Sequence, residues 1–213
     1  MKKGYEYFPV VISAPSGGGK STVKNFLLKK DSRFAFSITC TTRPRRTGEK
    51  NGKDYYFVTE RRFRELLKKG ELIEWARVHG HLYGTPKKSV LTILRRGMIP
   101  LMTIDVKGAR SVKRIFSGAV SIFMLPPDPF TMLDRLKKRG ESVRNLSIRF
   151  ETARKEMKEA SSFDYVVVND DLKKAVEDII AIIRTEIMRA CRRKEFLSEF
   201  ASQLGAVRIT EEK

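Results

Sequence analysis

Pro9-Val10-Val11-Ile12-Ser13-Ala14-Pro15-Ser16-Gly17-Gly18-Gly19-Lys20-Ser21 runs from a short apolar stretch into a glycine-rich turn that ends in a lysine and a serine. Beyond it, Lys20 to Lys30 carries apolar residues at Val23, Phe26 and Leu27, so the reading is strand, loop, helix. Ala14 to Ser21 matches the GxxxxGK[ST] phosphate loop except at its first position, where Ala replaces Gly. Glycines let successive backbone N–H groups face one concavity, and the helix N-terminus adds partial positive charge. Lys20 can then reach the β- and γ-oxygens of a bound triphosphate, and Ser21 can ligate Mg²⁺. Ala14, Pro15, Ser16, Gly17, Gly18, Gly19, Lys20, Ser21 and Thr22 are the expected donor-binding residues. Such a loop identifies the donor and leaves the acceptor open.

Working outward, Ile99 to Asp105, Val120 to Leu125 and Tyr165 to Val168 are further short buried-strand candidates, each followed by a helical pattern. Strands alternating with helices predict a parallel α/β sheet. Pro86-Lys87 opens a helix ending near Gly97, Asp128-Pro129 opens another ending at Gly140, and Asp171 caps the longest, through Ile179, Ile182, Ile183 and Ile187. Between the first helix and Pro86 the pattern changes. Phe36 to Thr41, Tyr55 to Val58 and Leu72 to Val78 read as strands around one helix, Glu60 to Lys69, which predicts a mixed lobe inserted in the sheet. From Arg192 to Lys213 the chain is charged and weakly patterned, a helix plus a loose tail.

The 213 residues suffice for one domain with small inserted lobes, and 41% hydrophobic residues suffice for a core despite 32% charged ones. Lys and Arg outnumber Asp and Glu by 44 to 25, a net charge of +19, which attracts nucleic acid, a membrane surface or small phosphates alike. Cys40 and Cys191 are the only cysteines, too few for a disulfide framework or a CxxC metal site, and a reducing cytoplasm fits best. Met1-Lys2-Lys3 followed by Phe8 to Ala14 faintly imitates a leader peptide, but its apolar stretch is short and runs straight into the glycine-rich loop. No apolar run approaches the roughly 18 residues of a membrane span.

The stretch Thr41-Thr42-Arg43-Pro44-Arg45-Arg46-Thr47-Gly48-Glu49-Lys50-Asn51-Gly52-Lys53-Asp54-Tyr55-Tyr56-Phe57-Val58 gathers arginines and tyrosines. An arginine fork and a tyrosine hydroxyl suit a phosphate monoester dianion. On composition alone the same loop serves RNA binding or a solvated turn equally well. Together with the phosphate loop, Ile73-Glu74-Trp75, Tyr83-Gly84-Thr85 and Val168-Asn169-Asp170-Asp171, however, this stretch closely resembles guanylate kinase from about Phe8 to about Arg189. Several separated motifs in the right order are far more specific than any one of them.

The resemblance implies an α/β fold: a P-loop parallel sheet core flanked by helices, an inserted mixed α/β GMP-binding lobe and a helical lid. Core segments are expected over 8–37, 88–127 and 155–189, the lobe over 38–87, the lid over 128–154 and a charged C-terminal segment over 190–213. It also implies phosphorylation of GMP or dGMP with ATP and Mg²⁺, as part of purine nucleotide metabolism, with no specific nucleic acid or membrane partner. By residue, Arg43, Arg46, Tyr55 and Tyr83 match the positions that hold the GMP phosphate, and Thr39, Glu74, Thr85 and Asp105 those around the guanine. Arg135, Arg139 and Arg149 match lid arginines; Arg139 and Arg149, with Lys20 and Arg43, are the expected catalytic set. Arg135 and Asn169 fall on the ATP side, Asn169 near the adenine or else in a turn capping the last helix. Ser21 and Asp105 are the expected metal ligands.

The chemistry of guanine agrees. Its N1–H and 2-amino group are donors and O6 an acceptor, so Glu74 suits the donor edge and Thr39 the O6 edge. Adenine lacks that donor edge, and a buried carboxylate left unpaired against it costs about 1–3 kcal/mol. Two features depart from the family pattern. Thr103 stands where an acidic residue usually lies two positions before Asp105, and the lid segment from Glu141 to Ile148 is one residue shorter than usual, with Arg144 and Asn145 near a commonly acidic position.

Overall fold

A computed structural model of the chain describes residues 4–78, 80–138 and 142–207. The N-terminal half contains β1 (Val10–Ser13), α1 (Lys20–Lys30), β2 (Phe34–Phe36), β3 (Cys40–Thr41), β4 (Tyr56–Phe57), α2 (Glu60–Lys68), β5 (Leu72–Val78) and β6 (His81–Pro86). It is followed by α3 (Lys87–Arg95), β7 (Ile99–Thr103), α4 (Val106–Ile115), β8 (Val120–Leu125), α5 (Pro129–Lys137) and α6 (Val143–Met157). The chain closes with β9 (Tyr165–Val168), α7 (Leu172–Met188) and α8 (Lys194–Ala206).

Five strands form a sheet in the order β2-β7-β1-β8-β9, with every pair parallel. Alternation along β1 shows why helices must cover both faces. Val10 and Ile12 pack with Val23 and Leu27 of α1 and with Ala175, Val176, Ile179 and Ile183 of α7. Val11 points the other way, onto Val90 of α3 and Ala109 and Val112 of α4. Because all the strands run the same way, the segments leaving β1, β7 and β9 emerge at one edge. That edge is where ligands lie in open parallel sheets.

A second sheet, β4-β3-β6-β5, is mixed: β3 and β4 are parallel, while β3–β6 and β5–β6 are antiparallel. Phe63 and Leu66 of α2 pack beneath it with Cys40 and Leu82. This is the expected inserted lobe, with two corrections. Phe36 to Thr41 is not one strand: Phe34–Phe36 belongs to β2 in the parallel sheet, pairing through Phe36 and Leu101, and Cys40–Thr41 forms β3 in the lobe. The sheets exchange chain there because Phe34 is buried in the main core and Cys40 in the lobe core. The second correction is β6, which the pattern Tyr83-Gly84-Thr85-Pro86 obscured.

Within the segment expected as a lid, α5 and α6 pack together through Met132, Leu136 and Ala153. Helix α6 continues to Met157, across the expected boundary at 154. Among the described residues, no helix is long and apolar enough to cross a membrane.

The C-terminal segment is tied to the core at its start. Arg192, buried, donates to Glu186 Oε2 at 2.7 Å from Nη2 and to the Gly118 carbonyl at 3.0 Å, and its guanidinium lies 3.7 Å from the Phe8 ring centroid. Burial opposes ionisation of Glu186, but its bonds from Arg192 and Tyr165 outweigh this and hold the carboxyl below the ordinary range. Arg192→Ala leaves that buried carboxylate only the more exposed and more distant Arg189, whose Nη1 lies 3.4 Å from Glu186 Oε2, and a loss of about 3 kcal/mol in urea unfolding is expected.

Candidate functional site

The turn after β1 has almost no room for side chains. A Cβ on Gly18 would sit 2.7 Å from the Ala14 Cβ, and one on Gly19 would sit 2.2 Å from Asn169 Nδ2. The first of these explains the departure at Ala14: its methyl group, fully buried, occupies space that Gly18 leaves empty. Gly19 also has φ +91°, in the left-handed region. It is the N-cap of α1 and offers no side chain to the helix, and no acidic residue lies in the first turn. The free N–H groups and the helix dipole are thus left for an anion.

Three elements hold this loop. Gly18 N donates to the Pro15 carbonyl at 3.0 Å, closing the turn on itself. Asn169, at the end of β9 and buried, donates from Nδ2 to the Gly18 carbonyl at 3.0 Å. Arg149 of α6 donates from Nη1 to Ser16 Oγ at 3.0 Å. Lys20 Nζ donates to the Ala14 carbonyl. Burial lowers the Lys20 pKa, against the opposing charges of Glu156 and Asp105. Arg135 of α5 donates to the Asn169 carbonyl at 3.0 Å, so both residues expected on the donor side meet at one point. A cavity of about 360 Å³ beside them is lined by Gly17, Gly19, Thr22, Arg135, Asn169 and Asp170. Asn169 therefore supports the loop, and it is the neighbouring Asp171 that caps α7, accepting from Lys174 N. Arg139 lies outside the described residues.

Asp105 follows β7, the parallel neighbour of β1, whose register sets Ile12 beside Thr103. It caps α4, with Oδ1 accepting from Gly108 N at 2.7 Å. Glu74 reaches the same place from β5 and accepts at 2.5 Å from the hydroxyl of Thr85 on β6. Gly108 allows this approach, for its Cβ would lie 3.2 Å from Glu74 Cγ. Burial, helped by the charge on Asp105, raises the Glu74 pKa, with the Thr85 bond opposing. Thr39 lies in the link between β2 and β3, where its carbonyl accepts from Tyr56 N.

In the lobe, the Arg43 guanidinium lies 5.5 Å and 5.7 Å from the ring centroids of Tyr55 and Phe57, and the Tyr55 and Tyr83 rings meet edge-on at 6.0 Å. Arg46 is exposed in the following turn. The sheet and lobe thus place Arg135, Arg149 and Asn169 on the loop after β1, Glu74, Thr85 and Asp105 together, and Arg43, Tyr55 and Tyr83 together in the lobe, while only the backbone of Thr39 is engaged.

Two residues that the sequence reading did not single out belong with these groups. Glu156, on α6, has a buried Oε2 with no hydrogen-bond partner and faces the charges of Lys20 and Asp105; burial raises its pKa. Glu49 pairs with Arg43. Among the described residues no set of three or more His, Cys, Asp and Glu side chains could hold a metal by itself. An orphaned carboxylate oxygen beside Asp105, with Ser21 exposed at the start of α1, is nevertheless an all-oxygen environment that suits Mg²⁺ bound chiefly through phosphates and water.

Residues 7–186 match the family model described as guanylate kinase. The guanylate kinase of Thermotoga maritima is 40% identical over 195 residues, covering 91% of this chain and 94% of its own. That of Caldanaerobacter subterraneus subsp. tengcongensis is 43% identical over 187 residues, covering 87% and 91%. A crystal structure of guanylate kinase from Anaplasma phagocytophilum superposes with a TM-score of 0.71 at 35% identity, covering 88% of this chain and 90% of that one.

The glycine geometry makes a sharp prediction. Gly19→Ala must shift either the loop or Asn169, so nucleotide triphosphate affinity measured by calorimetry should fall at least tenfold, with a loss of thermal stability of about 1–3 kcal/mol.

Proposed function

The chain belongs to the guanylate kinase family and is an ATP-dependent nucleoside monophosphate kinase acting on GMP; on that premise we propose which of its residues do the work, and that dGMP and Mg²⁺ serve it too. The observation that carries the reading is the pair of carboxylates, Glu74 and Asp105: Asp105 faces Lys20 of the phosphate loop, and Glu74 is held by Thr85, on the same strand, β6, as Tyr83 of the arginine–tyrosine cluster.

Guanine is read by Glu74, which accepts from N1–H and the 2-amino group, and Thr39 donates to O6. The Thr85 hydroxyl, donating to one Glu74 oxygen, fixes the carboxylate for this contact. Asp105 assists on the same edge. Arg43, Arg46, Tyr55 and Tyr83 receive the GMP phosphate. On the donor side the backbone of Ala14 to Ser21 cradles the ATP phosphates, Lys20 lies on the β/γ oxygens, and Thr22, Arg135 and Asn169 line the nucleoside end.

A GMP phosphate oxygen attacks the γ-phosphorus in line. The acceptor phosphate is already largely ionised at neutral pH, so no general base is required; positioning and charge supply the catalysis. Lys20 neutralises charge from the donor side, and Arg43 and Arg149 from the acceptor and lid sides. Ser21 and Asp105 would hold Mg²⁺, which, when bound, supplies neutralisation of the triphosphate; Thr103 contributes a hydroxyl where a second carboxylate is usual. Cys40, buried with its thiol pushed up to about 12 by burial, has no part in the chemistry. Two free cysteines fit a reducing cytoplasm.

The test is turnover of MgATP with GMP, dGMP, AMP, CMP and UMP. Activity on GMP and dGMP, lost by at least a hundredfold in Lys20→Ala, is expected; equal turnover of AMP would refute the role of Glu74.

A pH profile checks the same residue. Glu74 accepts from guanine only when ionised, and burial raises its pKa, so as pH falls the KM for GMP should begin to rise at a higher pH than an ordinary carboxylate would cause. Glu74→Gln should lack that component and keep only the titration of the GMP phosphate itself.

A further inference from the structure

The acidic side chain beside the expected phosphate site calls for an explanation, since a carboxylate near a dianion opposes binding by charge. Glu49 uses its two oxygens separately. Oε1 accepts from Arg43 Nη2 at 2.6 Å, and Oε2 accepts from the backbone N–H of Arg46 at 2.8 Å. The turn between them is closed by Glu49 N donating to the Arg46 carbonyl at 3.2 Å. Arg43 is further fixed by Nη1 donating to the Pro44 carbonyl at 2.8 Å and by the faces of Tyr55 and Phe57. One carboxylate therefore ties a guanidinium to the turn that bears a second arginine.

The contact with Arg43 comes from one carboxylate oxygen, not a bidentate fork. Arg43 keeps N–H donors that neither Glu49 nor Pro44 uses, so a phosphate can bind without displacing Glu49. The Arg43 and Glu49 side chains are only 10% and 20% exposed, so the pair is shielded more than a surface ion pair. Apart from this residue the Arg46 turn is exposed, and unrestrained arginines would lose rotamer freedom on gripping a ligand.

We propose that Glu49 is a positioning residue for acceptor binding: it preorganises Arg43 and the Arg46 turn as one phosphate-receiving unit, and its contribution appears only in the phosphate part of GMP affinity. This rests on the GMP-kinase reading above.

The test is calorimetric binding of GMP and of guanosine to the full chain and to Glu49→Gln and Glu49→Ala, with steady-state KM and kcat alongside. Glutamine keeps the length but has a single acceptor oxygen, so one of the two bonds is lost. GMP affinity should fall about tenfold in Glu49→Gln and further in Glu49→Ala, KM for GMP should rise in step, and guanosine affinity and KM for ATP should stay within twofold. Retained guanosine binding also shows that the variants are folded. Unchanged or tighter GMP binding would overturn the proposal, the latter by making Glu49 a competitor for Arg43. An equal loss of guanosine and GMP affinity would overturn it too, as a general loss of lobe structure. If the unaltered chain, folded, bound no GMP, it would be the acceptor reading that failed.

Discussion

Steric exclusion at the turn between β1 and α1 is the constraint on which the rest of the structure depends. Backbone N–H groups can converge on an anion only where no side chain intrudes, and Gly18 and Gly19 are packed so closely against Ala14 and Asn169 that a methyl group has no place. The parallel sheet supplies both walls: β1 delivers the loop, and β9 is followed at once by the asparagine that bonds its Gly18 carbonyl. Strand order also sets Asp105, following β7, beside the same edge. A phosphate site and a carboxylate thus become neighbours through topology alone.

The second sheet adds a buried carboxylate to that frame. Glu74 is on β5 and Thr85 on β6, opposite one another in an antiparallel register, so the hydroxyl that steadies the carboxylate is fixed by strand pairing. The close approach of α4 at Gly108 then brings Glu74 next to Asp105. Burial makes ionisation of Glu74 costly, and a ligand offering two N–H donors offsets that cost, which a base without them does not. Helix α6 reaches the loop after β1 directly, Arg149 donating to Ser16 Oγ.

Much of this was legible in the sequence, for local reasons. The loop with Lys20, α1 and the strands β8 and β9 follow from glycine placement and apolar runs, and Glu74 and Asp105 are positions that the resemblance singles out. Strand β6 was hidden because Gly84 and Pro86 carry turn signals, although Gly84 is buried in the lobe. The division of Phe36 to Thr41 was hidden because both parts are apolar and only tertiary packing assigns them to different sheets. Glu156 and Glu49 gave no local signal: one gains meaning from a lysine on another element, the other from how its two oxygens are shared. The Glu186–Arg192 pair was likewise masked by a charged, weakly patterned C-terminal segment.

The central claim is that a phosphoryl group passes from ATP to the phosphate of GMP in this cleft. ³¹P NMR of the protein mixed with MgATP and GMP follows both nucleotides at once. ADP and GDP resonances growing in equal amounts, with no free phosphate, are the result expected. ADP accompanied by inorganic phosphate, with the GMP signal unchanged, would mean that water is the acceptor and would contradict the account.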